Sequence, residues 1–273
     1  MSKPLRIGIV GCGAIGGSLA KIILSEFKDK ARLVGLYDVN KEKAQRLVER
    51  FKNYRLMAWD LKELIKNSDF LIEATHKNAV FAIAKDTILA KKNIMIMSVG
   101  GLLEHYQKLK MLAEKNRVNI FVPSGAVCGI DGLKASVFGN IKKVTLITKK
   151  PPIAFEGSAY LLKKKIKLEN IKEETVLFEG NALSAVNSFP QNINVSATLS
   201  LAGIGAKRTV VRIVALPNTT RNIHEIEIES DAGRIFTRTE NVAHPDNPKT
   251  SYLAVLSAAA TLKQILGPIK IGT

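Results

Sequence analysis

Gly11, Gly13 and Gly16 stand in the run Gly11-Cys12-Gly13-Ala14-Ile15-Gly16, directly after the apolar stretch Leu5 to Val10. A GxGxxG pattern between a strand and a helix suits one task, the close approach of backbone to a pyrophosphate. Gly11 permits a tight turn, Gly13 leaves room for the phosphates, and Gly16 lets the following helix approach the strand. The backbone N–H groups of Ala14 and Ile15 and the dipole at the helix start favour an anion there. Asp38 ends the next strand-like run, about 20 residues beyond the loop, where an acid can bind ribose hydroxyls. Glycine loop, strand–helix–strand context and acid together point to a dinucleotide site. Asp38 favours NAD, while Asn40, Lys41 and Lys43 nearby leave NADP open.

A dinucleotide of this kind carries hydride, and hydride transfer needs a partner that moves a proton. Histidine suits that role because its ordinary pKa lies near neutral pH. The chain has four: His76, His105, His224 and His244. His76 ends the strand-like DFLIEAT run, on the side where ligands of parallel sheets bind, and is equally a loop residue without a role. His105 follows Glu104 on a helix and reads as surface. His224 opens Ile223-His224-Glu225-Ile226-Glu227-Ile228-Glu229. Side chains of a strand alternate, so His224 shares a face with Ile226 and Ile228 and the glutamates take the other. An inward histidine is either a core residue or a site residue, and spacing does not choose. His244, in a polar loop before Lys249-Thr250-Ser251, is the rival. No Ser-His-Asp arrangement and no metal-ligand spacing is visible.

The elements that must carry these residues fall into two sets. Strand-like and helix-like segments alternate over residues 1–123: strands Leu5 to Val10, Ala31 to Val39, Asp69 to Thr75, Ile94 to Val99 and Asn119 to Pro123, with helices Ile15 to Phe27, Lys41 to Phe51, Leu61 to Lys66, Asn78 to Ala90 and Glu104 to Lys115. Strict alternation predicts an α/β Rossmann-type domain with a parallel sheet covered on both faces. The pattern changes over 124–250. The glycine-rich SGAVCGIDG leads into strands Lys143 to Thr148 and Glu174 to Phe178. A mostly helical stretch, Asn181 to Gly203, is interrupted by Pro190. Strands Arg208 to Leu216 and Asn222 to Glu229 follow. A turn at Asp231-Ala232-Gly233 then pairs Arg234 to Thr239 back as a hairpin. This predicts a second α+β domain on a mostly antiparallel sheet. A final apolar helix, residues 251–267, is expected to pack back on the first domain.

Composition narrows the class. The 273 residues are 46% hydrophobic and 24% charged, which fits a globular protein with its own core and excludes disorder and disulfide scaffolds. The net charge is +17, from 41 Lys and Arg against 24 Asp and Glu. The basic residues are spread along the chain, with short clusters at Lys149-Lys150 and Lys163-Lys164-Lys165. There is no arginine-rich arm and no interleaved aromatics, so the charge reads as a solvated surface rather than a nucleic-acid face. No apolar stretch approaches the ~20 residues of a spanning helix. The first ten residues read as a strand rather than a signal peptide. Cys12 and Cys128 make no metal pair, and a reducing, cytoplasmic setting is the simple reading.

Taken together, GCGAIGGSLA, DFLIEAT, SVGGL, PSGAVCGIDGL, FPQNINVSATLSLAG, TRNIHEIEIES and NPKTS resemble the L-aspartate dehydrogenase family across nearly the whole chain. The resemblance implies oxidation of L-aspartate with NAD or NADP, to an imine that can feed NAD biosynthesis. By motif, His224 matches the family's catalytic histidine, and Ala126 and Asn192 match its cofactor contacts near the nicotinamide. Both substrate carboxylates need donors, since a buried unpaired carboxylate is costly. Lys249, Thr250, Ser251 and Arg212 are the candidates. A homodimer is expected, with no nucleic-acid or membrane partner. Homoserine dehydrogenase and dihydrodipicolinate reductase share a similar two-part layout and are the alternatives, because fold does not fix substrate. A dinucleotide-sensing, nucleic-acid-binding regulator is the remote one.

Overall fold

In a computed structural model of the chain, residues 3–189 and 194–272 are described, with the backbone alone at 248 and 249. They form two compact units, one running to Pro123 and joined by Val255–Ile271, the other covering Ser124–Ala254.

In the first unit β1 (Leu5–Val10), α1 (Ala14–Glu26), β2 (Ala31–Tyr37), α2 (Lys41–Arg50), α3 (Leu61–Asn67), β3 (Phe70–Glu73), α4 (Lys77–Leu89), β4 (Asn93–Ile96), α5 (Val99–Asn116) and β5 (Ile120–Phe121) follow one another. The strands lie in the order β2-β1-β3-β4-β5, and every pair is parallel. All four residues of β3 are buried, as a strand covered on both faces requires. The reversal of strand order beside β1 sets the carboxyl ends of β1 and β3 side by side, the place where such sheets bind ligands.

Strands β2 to β5 are shorter than the sequence reading has them, and the largest boundary difference is at the start of α5. The helix expected from Glu104 starts at Val99, and the strand before it is shorter. A Cβ on Gly101 would lie 2.1 Å from the Lys77 carbonyl oxygen. Gly101 of the SVGGL run therefore serves a close approach of α5 to the start of α4, not a loop.

The second unit holds α6 (Ile130–Ser136), β6 (Ile141–Lys150), α7 (Ala159–Lys163), β7 (Thr175–Asn181), α8 (Ala182–Ser188), α9 (Asn194–Ala202), β8 (Val210–Ala215), β9 (Asn222–Ser230) and β10 (Gly233–Asn241). Its sheet runs β10-β9-β6-β8-β7, antiparallel except for the β6–β8 pair. Pro190, expected to interrupt the helical stretch between α8 and α9, lies outside the described residues. The glycine-rich segment after Pro123 contains α6, which composition hid. The proline-punctuated HPDNPKTS run forms a small two-stranded ladder, β11 (Ala243–His244) and β12 (Asn247–Ser251), rather than a loop. Helix α10 (Tyr252–Leu266) follows, and its Val255, Ala258 and Leu262 are buried in the core of the first unit with Ile7, Leu19 and Ile23.

The second sheet has two unlike faces. Val144, Leu146, Ile226, Ile228 and Ile213 point to one and form a core with residues of α6, α8 and α9. The other carries charge: Glu225 pairs with Lys149 and Arg238, and Arg212 with Glu179. Among the described residues, no helix is long and apolar enough to cross a membrane, and no group of His, Cys, Asp and Glu could hold a metal ion.

Candidate active site

The glycine loop of the first unit has the geometry its sequence asks for. Gly11 adopts φ +103°, and a Cβ there would meet the Ala74 carbonyl oxygen at 2.3 Å. A Cβ on Gly16 would lie 1.9 Å from the Gly11 carbonyl oxygen, so α1 can sit this close only with glycine. Gly13 is the opposite case: no protein atom lies within 4 Å of a Cβ built there. It faces open space at the start of a helix whose first turn holds no acidic residue and no side-chain cap. The N–H groups of that turn, which include those of Ala14 and Ile15, are suited to a phosphate.

Asp38, just past β2, accepts from the Cys12 N–H at 2.8 Å with one oxygen and from the Asn40 N–H at 2.9 Å with the other. The glycine loop thus orients the acid that would hold the ribose. The Lys41 ammonium donates to the Trp59 carbonyl and lies 4.3 Å from the centre of the Tyr37 ring. Burial, then the Asp38 charge, push the Cys12 thiol up to about 12, so it is no nucleophile. Glu73, which sequence reasoning passed over, is fully buried at the end of β3. Its carboxylate accepts from the Thr75 N–H and hydroxyl at 2.7 and 2.6 Å and from the Ser98 N–H at 3.0 Å. It ties together the carboxyl ends of β3 and β4.

In the second unit the inward sheet face changes character along its length. The core end is Val144, Leu146, Ile226 and Ile228. At the other end the same face presents Thr148 and Lys150 on β6, Asn222 and His224 on β9, and Thr239 and Asn241 on β10. Thr148 pairs with His224 and His224 with Thr239, in one row across three strands. The His224 ring is buried, with Nδ1 at 3.0 Å from the Thr148 hydroxyl. Burial first, and the Lys150 charge second, push its pKa down to about 3, so the ring is neutral.

Ala126 is brought to the same row. Its carbonyl accepts from the Asn241 amide at 3.0 Å, and the Thr239 hydroxyl lies 3.0 Å from it and 3.4 Å from the His224 carbonyl oxygen. The segment carrying Ala126 is therefore fastened to β10 beside His224. Asn192 lies outside the described residues.

The other candidates are placed differently. Arg212 pairs in register with Ile147, one step out of phase with Thr148, so it sits on the opposite face of the sheet from His224. There it forms two contacts of 3.0 Å with Glu179. The structure does not bring it to the site. His244 is buried in the β11–β12 ladder, where Nδ1 accepts from the Asp246 N–H at 3.0 Å and the ring meets Tyr252 edge-on. Its ring shapes that turn. The Thr250 hydroxyl accepts from the Asn247 amide at 3.2 Å, Ser251 is buried, and the Lys249 side chain lies outside the described residues. His76 is exposed at the start of α4, and the His105 ring rests 4.5 Å from that of Phe81.

The residue that sequence reasoning missed here is Lys150. It passed as one of a basic surface pair, yet alternation from Leu146 through Thr148 places it inward.

A dinucleotide loop in one unit and a buried neutral histidine on the sheet of the other define a nicotinamide-dependent oxidoreductase. Residues 11–123 match the family described as the NAD-binding domain of homoserine dehydrogenase, and residues 131–265 match the family of aspartate dehydrogenase C-terminal domains. The chain is 45% identical over 271 residues to the L-aspartate dehydrogenase of Methanosarcina barkeri, covering 98% of this chain and 100% of that one. It is 40% identical over 279 residues to that of Nitrosopumilus maritimus, covering 98% and 99%. The chain belongs to the L-aspartate dehydrogenase family. Its fold matches the crystal structure of aspartate dehydrogenase from Thermotoga maritima with a TM-score of 0.74 at 23% identity, over 99% of this chain and 100% of that one. A hyperthermophilic archaeal homoserine dehydrogenase in complex with NADPH shares the fold with a TM-score of 0.60 at 14% identity, covering 97% and 98%.

Two outcomes follow from this geometry. Long-range ¹H–¹⁵N NMR of the imidazoles should find His224 neutral from about pH 8 to pH 5, across the range where an ordinary histidine titrates. Folding stability then falls as pH drops below the unfolded value of 6.5 towards about 3, because only the unfolded chain takes up that proton first. A His224 midpoint near 6.5 would contradict the buried placement. If Asp38 holds the ribose hydroxyls, replacing it with serine removes an acid that would repel a 2′-phosphate. The ratio of kcat/KM with NAD to that with NADP should fall at least about tenfold, roughly the loss of one charged hydrogen bond; an unchanged ratio would remove Asp38 from the ribose site.

Proposed function

We propose that this protein oxidises L-aspartate at its α-amino group, producing iminoaspartate, with NAD preferred to NADP. Full-length likeness to L-aspartate dehydrogenases carries this reading, since the same fold also serves homoserine dehydrogenases and cannot choose a substrate. Gly11, Gly13 and Gly16 with the N–H groups of Ala14 and Ile15 would hold the pyrophosphate, Asp38 the adenine-side ribose, and Ala126 and Asn192 the nicotinamide end. The bound nicotinamide supplies the hydride acceptor. The preference for NAD rests on Asp38.

His224 is the proton-transfer residue in this reading. In the tautomer that leaves Nε2 able to accept a proton, Nδ1–H donates to the Thr148 hydroxyl, which fixes the ring's orientation. Nε2 then takes the proton released as the amine is readied for oxidation, or the proton of the water that converts the imine to oxaloacetate and ammonia. Burial keeps the imidazole unprotonated beforehand, and a site with little water keeps that proton on its path. The charges of a bound dicarboxylate raise the affinity of the ring for a proton from its low resting value. The product imine suits NAD biosynthesis. A cytoplasmic homodimer is the assembly we favour, on the family resemblance alone.

The test follows absorbance at 340 nm with L-aspartate, L-homoserine and a cyclic imine dicarboxylic acid, each with NAD(H) and NADP(H). Turnover confined to L-aspartate and faster with NAD is the expected result. Turnover of homoserine in its place would overturn the assignment.

A further inference from the structure

Lys150 is a cation buried on the inward face of the second sheet. It is the last residue of β6, and only 7% of it is exposed. Lysine is almost never this buried unless its charge is paired, because desolvating an ammonium is expensive. On its own face of β6 the preceding residues are Val144, Leu146 and Thr148. The β6–β9 ladder pairs Thr148 with His224 and Lys149 with Ile223. One further step sets Lys150 beside Asn222 and diagonal to His224, a relation that spans about 7–8 Å between backbones and lies within reach of long side chains. The Lys150 charge is felt at His224, and burial lowers Lys150 itself only to about 8, so it stays largely charged at neutral pH.

We propose that Lys150 receives a carboxylate of the substrate, and that it makes the His224 end of the sheet selective for a dicarboxylate amino acid. The proposal rests on His224 being the reacting histidine. An ammonium in that position offers a carboxylate a charged hydrogen-bond donor beside His224. Arg212, on the opposite face, cannot fill this role.

The experiment compares wild type with Lys150→Met and Lys150→Arg. It reads KM and kcat for L-aspartate, the affinity for NAD, and binding of succinate to the NADH-loaded protein by calorimetry. Succinate has both carboxylates and no amine, so its binding reports the carboxylate sites without catalysis. Lys150→Met should raise KM and weaken succinate about 10- to 100-fold, the loss of a charged hydrogen bond, with NAD affinity unchanged. Lys150→Arg should recover most of the succinate affinity. Succinate and aspartate affinities within threefold of wild type in Lys150→Met would overturn the proposal. So would an unfolded Lys150→Met beside a folded Lys150→Arg that binds succinate no better than an unrelated anion, which would make the charge structural. Lys150-dependent succinate binding in a wild type that fails to oxidise aspartate would instead refute the activity and keep the carboxylate site.

Discussion

The second unit depends on holding a histidine neutral inside a sheet. An imidazole on the inward face of β9 loses its water, and the free energy of charging it there rises accordingly. The neighbouring ammonium of Lys150 acts in the same direction. Thr148 meets one ring nitrogen and so fixes which way the ring faces. The apolar rows of Val144, Leu146, Ile226 and Ile228 make this possible, because they hold β6 and β9 in one register. A slip of one residue would turn His224 to the charged face and bring Glu225 inward.

The buried groups of this face also oppose stability. A neutral buried histidine and a lysine lowered to about 8 both favour the unfolded chain once it can protonate freely. The apolar core beneath them and the ion pairs of the other face offset that. Such a concentration of desolvated, titratable groups is what a reactive site needs and what a purely structural sheet avoids. The first unit shows the same economy in another form. Its ligand features are backbone features, in which Gly11 and Gly16 allow contacts that any Cβ would forbid, and Asp38 is oriented by the N–H of the loop it serves.

Much of this was legible in the sequence because it is local. The glycine loop, its flanking strand and helix, and the acid closing β2 lie within one short stretch of chain. Strand alternation alone turned His224 inward. What was hidden depends on pairing across long separations. Ala126 reaches the His224 row through Thr239 and Asn241, more than a hundred residues away. Arg212 carries a plausible side chain, yet its phase relative to Thr148 is set by the β6–β8 register, which composition does not reveal. His244 looked like a loop residue because two prolines follow closely, while the backbone forms a short ladder around it. Lys150 was hidden by its neighbour: two adjacent lysines read as surface, although adjacent residues of a strand face opposite ways.

The measurement that reaches the central claim most directly is single-turnover hydride transfer, followed by NADH absorbance after mixing NAD-loaded protein with saturating L-aspartate, in wild type and His224→Ala. If His224 moves the proton, the substitution slows the NADH transient by at least about 100-fold, the typical share of a general acid–base group, while NAD affinity and the folded state persist. An NADH transient of unchanged rate in His224→Ala would contradict the account and make the buried, neutral histidine a core residue.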